Sequence, residues 1–197
     1  MPDFSSAFQK TMGHEGGWCN TPGDRGGETY RGISRVYHPG WLGWWLIDAA
    51  KDKSGSPVLR GYSRMGELDG MVEAFYRAEF WERCGCDRIE HQAIAEELFD
   101  SAVNCGVVAA QTWLQESVNI LNERFRLFGK LAVDGHVGPG TLAAVAKMLE
   151  RGVGLLLFRL MNLAQGAHYL ALARKDPSQA KFLAGGWLDR VEWETSK

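Results

Sequence analysis

Residues 15–34, EGGWCNTPGDRGGETYRGIS, interrupt a chain whose apolar residues otherwise recur at helical spacing, and this break constrains the fold most. Glu15 stands just before two glycines, at the end of a plausible amphipathic helix. A Gly- and Pro-rich stretch then carries a second carboxylate, Asp24, and a hydroxyl, Thr29. Gly, Pro, Asn and Asp are what tight turns need, so the segment reads as loop plus a short β-hairpin around residues 24–27.

Around this break the helical period is clear. Phe4, Phe8 and Met12 recur behind the cap candidates Ser5 and Ser6, predicting a first helix that ends at residues 15–17. Ser34 can cap a short helix toward His38, which Pro39 and Gly40 stop. Trp41, Trp44 and Trp45 lead to a polar loop over residues 51–57. Leu68, Val72, Phe75, Tyr76 and Phe80 mark a helix to about residue 83; Ile94, Leu98, Ala102 and Cys105 mark another, closed by Gly106. Ala110, Leu114, Val118, Leu121 and Phe125 continue the period. The break at 131–141, LAVDGHVGPGT, precedes helices over 142–149 and 153–173 and a last short one over 182–194. The expected fold class is mainly α with a small β-hairpin element near the N-terminus. The best internal boundary lies at residues 84–91.

Composition narrows the function classes. The 197 residues, 45% hydrophobic and 23% charged, form an ordinary globular chain. A net charge of -2 with no basic run argues against nucleic acid as a partner. The N-terminus lacks the cationic start and apolar core of a secretory signal, and no apolar window spans a bilayer, so stable membrane insertion is not expected. Cys19, Cys84, Cys86 and Cys105 do not make a disulfide framework, and a one-residue spacing is not that of a zinc pair. Free thiols of a cytosolic product are the default. No histidine falls at ligand spacing, so neither metal nor cofactor is expected. The eight tryptophans fill the core or, near the glycine-rich segment, line a carbohydrate cleft.

The segment from Glu15 to Ser34 resembles the signature of glycoside hydrolase family 108, E-G-G-Y-x-N-x-P-x-D-x-G-G-x-T-x-x-G-I-S, gaplessly and at every fixed place but one. That place is Trp18, where tyrosine is usual; an aromatic wall is kept and a phenolic hydroxyl lost. YRAEFWERCGCDRI and DSAVNCG agree as well, and LQESVNIL with LAVDGHVGPGTLAAV resembles the helical peptidoglycan-binding region that usually follows. FLAGGWLDRV is similar to the family's closing helix. The family comprises N-acetylmuramidases of phage endolysins and of bacterial proteins once called secretion activators.

The resemblance implies a lysozyme-like fold, with residues 1–90 as catalytic region and 91–197 as a peptidoglycan-binding-like region, packed as one compact unit. It implies cleavage of β-1,4 bonds between N-acetylmuramic acid and N-acetylglucosamine by a monomer. Such a protein is cytoplasmic until a holin or similar pore releases it to the wall. Glu15 is then the general acid, Asp24 orients or deprotonates water or steadies charge on the sugar, and Thr29 holds that water. This Glu, Asp, Thr order is similar to that of phage-type lysozymes, which invert the anomeric centre. Trp18, Asn20 and Tyr30 are the candidates for contacting sugar. Read from the residues alone, a surface glutamate is the favoured reading of Glu15, with a turn residue the alternative for Asp24 and a strand residue for Thr29. A non-catalytic wall-binding module and a secretion-assisting protein remain the alternatives.

Overall fold

The computed structural model describes residues 1–13, 17–21 and 26–192. They form a mainly helical protein with one small antiparallel sheet close to the N-terminus. The chain divides into two compact units, one of Phe8–Ala78 and the other of Met1–Ala7 with Glu79–Lys197.

Helix α1 (Phe4–Met12) opens in the second of these and continues in the first. Its cap is Asp3 rather than Ser5 or Ser6: the Asp3 carboxylate accepts from Ser5 N at 3.0 Å and Ser6 N at 3.3 Å, meeting otherwise orphaned N–H groups. The end expected at residues 15–17 falls partly on 14–16, which lie outside the described residues.

In the unit Phe8–Ala78, strands β1 (Trp18–Cys19), β2 (Thr29–Tyr30) and β3 (Ile33–Ser34) pair antiparallel in chain order. Cys19 faces Thr29 and Trp18 faces Tyr30, so residues 20–28 are the hairpin connection; residues 22–25 lie outside the description. The third strand departs from expectation, since Ser34 is a strand residue and not the cap of a helix. Arg31 and Gly32 both have positive φ (44° and 80°), the two-residue turn whose twist suits a hairpin, and this turn folds residues 33–34 back onto β2. Only a single turn follows, closed by His38 N donating to Ser34 O at 2.9 Å.

Helix α2 (Gly43–Ala49) lies where the tryptophan-rich stretch gave no helical expectation. Trp44, Leu46 and Ile47 are buried there, with Trp41 edge-on to Trp44 at 5.2 Å. Helix α3 (Met65–Tyr76) supplies Leu68, Val72 and Tyr76 to the same core, and the Tyr76 hydroxyl donates to Arg31 O at 2.8 Å. A π-helical turn, Arg77–Glu82, carries the chain on and buries Trp81.

The other unit is built on α4 (Gln92–Cys105), α5 (Val107–Phe125), α6 (Pro139–Glu150) and α7 (Gly154–Lys175), each where the apolar period predicts a helix. Leu98, Phe99, Leu114, Val118, Met148, Leu157 and Phe158 are its buried centre. The break between α5 and α6 is stitched by amides at i, i+4 and i+7 of one α5 face. Gln115 donates to Asp134 Oδ1 at 2.7 Å, Asn119 to Leu131 O at 3.0 Å and Asn122 to Phe128 O at 2.7 Å. Each also accepts from loop N–H groups, so the loop finds on α5 the partners a strand would give it. The expected last helix is instead a string of short turns: 3-10 at Pro177–Gln179 and Leu188–Arg190, α at Ala180–Phe182 and π at Leu183–Trp187.

Candidate active site

The signature segment lies in the unit Phe8–Ala78, between α1 and β3. Glu15 and Asp24 are outside the described residues, so the described part of the segment is β1, which lies between them in sequence, and β2 and β3, which follow Asp24.

Thr29 is half-buried at the start of β2, and its hydroxyl donates to Gly27 O at 3.2 Å. That spends the proton of Oγ1 and leaves its lone pairs to accept. Asn20 is exposed just past β1. Tyr30 is only 2% exposed and stacks on Trp41 with centroids 6.4 Å apart. Burial, helped by Asp69, raises its phenol above the ordinary value, so it stays neutral. Tyr30 and its cross-strand partner Ile33, 1% exposed, both face the core.

Trp18 is half-buried and its indole nitrogen donates to Glu28 Oε1 at 2.8 Å. The Glu28 carboxylate also meets Lys51 Nζ at 2.9 Å and Arg35 Nε at 2.9 Å. Asp48 closes the set, pairing with Arg35 Nη2 at 2.8 Å and Lys51 Nζ at 2.7 Å. The Arg35 hydrogen bond is the main reason the Asp48 carboxyl lies below its usual range. For Lys51, burial opposes the charge, but hydrogen bonds to Asp48 and Glu28 outweigh it and raise the ammonium above its ordinary value. The Arg35 guanidinium also lies over the Trp44 ring, 4.5 Å from its centroid.

The returning limb of the loop is held at several points. Ser34 Oγ donates to Gly26 O at 2.6 Å, Arg35 N donates to Glu28 O at 2.8 Å, and a Cβ on Gly27 would meet Val36 at 2.9 Å. Thus β2 and the turn after β3 form a fixed floor for residues 26–29. Sequence reading singled out Thr29, Trp18, Asn20 and Tyr30 but missed Glu28, Arg35, Asp48 and Lys51. Glu28 and Arg35 lie in a strand-and-turn segment, and Asp48 and Lys51, three residues apart, carry no mark that ties them to Glu28. The one available signal was an acidic residue inside the signature with two basic residues downstream.

Among the described residues no three His, Cys, Asp or Glu side chains form a group able to hold a metal ion. No described helix is long and apolar enough to cross a membrane.

The family model described as Glycosyl hydrolase 108 matches residues 8–106, and the one described as Predicted Peptidoglycan domain matches residues 108–192. No curated protein matches the chain. Among solved structures, that of Brucella abortus SagA is similar in fold, with a TM-score of 0.60 and 24% identity over 95% of this chain and 88% of that one.

Proposed function

The chain belongs to the glycosyl hydrolase 108 family and is a glycoside hydrolase acting on peptidoglycan, and on that premise we propose that it is an N-acetylmuramidase. The bond cut is the β-1,4 link from C1 of N-acetylmuramic acid to O4 of N-acetylglucosamine. Glu15 gives its proton to O4 as the C1–O4 bond breaks. Asp24 takes a proton from water as the water oxygen bonds to C1 from the opposite face, so the anomeric configuration inverts. The products are a muramic acid with a new C1 hydroxyl and a glucosamine with a free 4-hydroxyl.

The observation that carries this reading is the intact Glu15, Asp24 and Thr29 set inside the segment matched by the family model. The hydrogen bond from Thr29 Oγ1 to Gly27 O supports the third role. With its proton committed, the hydroxyl accepts one hydrogen of the water, leaving the other for Asp24 and an oxygen lone pair for C1. Trp18 and Asn20 contact sugar, with Tyr30 supporting the strand beneath. We assign residues 8–106, matched by the glycosyl hydrolase model, to catalysis and residues 108–192 to holding the wall. A monomer reaching the wall through a holin-type pore, in phage lysis or in opening the wall for secretion, fits this assignment.

Borohydride labelling of the ends released from purified walls tests the bond. Reduced N-acetylmuramic acid is the expected product; reduced N-acetylglucosamine would make the protein a glucosaminidase and overturn the proposal.

A further inference from the structure

Strand β1 is the edge of the three-stranded sheet and shares with β2 a ladder only two residues long, so backbone pairing alone holds it weakly. Backbone pairing leaves the plane of the Trp18 ring to side-chain contacts. Directly beside that ladder, Trp18 Nε1 meets Glu28 Oε1 at 2.8 Å, tying the outgoing strand to the last residue of the returning limb. The Glu28 side chain is 11% exposed, so its charge needs partners, and Lys51 Nζ and Arg35 Nε supply them at 2.9 Å each. Held by two cations, the carboxylate is a charge-assisted acceptor for the indole N–H, the stronger kind of hydrogen bond. Through Arg35 and Lys51 the same carboxylate is linked to Asp48 on α2, which anchors it to a helix.

We propose that Glu28 is a positioning residue for glycan binding: by gripping the indole edge of Trp18 it sets the plane of the aromatic face offered to a sugar ring. Glu28 is assigned no proton transfer: its Oε1 faces Trp18 Nε1 and Lys51 Nζ, and its Oε2 lies 2.9 Å from Arg35 Nε. The inference rests on the proposed role of Trp18 as a sugar contact. It also explains how tryptophan serves where the family signature has tyrosine: its ring N–H reaches the acceptor standing just before Thr29.

The test is a double-mutant cycle, reading KM and kcat on soluble glycan strands cut from purified walls, with melting temperatures as a check on folding. Glu28→Ala should raise KM about tenfold, the scale of one lost charged hydrogen bond, with a smaller change in kcat. In a Trp18→Phe background, which keeps a ring but has no N–H to grip, the same Glu28→Ala change should move KM less than about twofold. Glu28→Gln retains an oxygen for the indole but not the charge, so its KM should fall between those of wild type and Glu28→Ala, even if its melting temperature falls through loss of the ion pairs. Equal KM effects of Glu28→Ala in both backgrounds, or an unchanged KM in a folded Glu28→Ala protein, would overturn the proposal. Should Glu28→Ala not fold, a KM change in Glu28→Gln that is the same in the Trp18→Phe background would overturn it equally. The readout is independent of which bond breaks, so a glucosaminidase product pattern would sink the proposed bond while the coupling of positions 28 and 18 still decides this inference.

Discussion

At the scale of single residues, the proposed chemistry falls on Glu15, Asp24 and Thr29 within one contiguous segment. Glu15, Asp24 and Thr29 stand out because a carboxylate before two glycines, a second carboxylate and a hydroxyl rarely line up in a gapless pattern. Glu28 sits among them yet carries no periodic mark, since its partners Arg35 and Lys51 come from a turn and from the end of a helix. Glu15→Gln keeps side-chain shape and removes the titratable proton, so a folded variant should lose on the order of 10²–10⁴ of the lytic rate in a wall turbidity assay. Asp24→Asn should lose much of the activity, and Thr29→Ala should fall between wild type and the Glu15 variant. A folded Glu15→Gln protein that clears walls at wild-type rate would end the catalytic assignment.

At the scale of elements, long helices were foreseen because their apolar residues keep one period over several turns. The short elements were not. Strand β3 exists because Arg31 and Gly32 take positive φ and return the chain onto β2, and Tyr76 holds the Arg31 carbonyl from α3; two residues of strand leave no periodic trace. Helix α2 was hidden because adjacent tryptophans, of which Trp44 is buried and Trp45 is 62% exposed, blur the contrast between its faces. The start of α4 shows a further unforeseen device: His91 is its cap, with Nδ1 accepting from Ile94 N at 3.4 Å. Burial lowers the His91 imidazole below its ordinary value of 6.5, so the folded protein binds fewer protons there than the unfolded chain. Stability should therefore decline as the pH falls through 6.5 toward the lower folded value, where protonation also removes the cap acceptor. His91→Asn keeps an acceptor at the cap and cannot titrate, so its urea midpoint should fall less than that of wild type between pH 7.5 and 5.5. A wild-type midpoint flat over that range would refute the linkage.

At the scale of the whole molecule, each unit is closed by contacts between residues far apart in the chain. In the unit of Met1–Ala7 with Glu79–Lys197, Phe4 packs edge-on against Trp81 at 5.5 Å and Phe99 at 5.7 Å. Asp3 N donates to Gln92 Oε1 at 2.6 Å in the same place. At the other end of the sequence, Arg190 donates to Asp100 Oδ1 at 2.7 Å while Gln165 donates to Oδ2 at 3.0 Å, and Trp187 stacks on Tyr169 at 5.0 Å. Arg190→Ala leaves a largely shielded carboxylate with one partner fewer and should cost about 1–3 kcal/mol. For a chain of this size that is roughly 2–4 °C of melting temperature per kcal/mol, readable by calorimetry. An unchanged melting temperature would show that the pair contributes nothing to closure.

The sequence by itself determined the helical class, the extents of the long helices and the position of the turn-rich break, and it supplies the residues proposed to carry the chemistry. Each of these is written locally, in periodicity, turn residues or a contiguous signature. The tertiary structure alone decided that the first seven residues pack with the later half, that a third strand completes the sheet and that Glu28 grips Trp18. Those outcomes depend on partners brought together by folding, and sequence spacing carries no record of an ion pair or ring contact made across tens of residues.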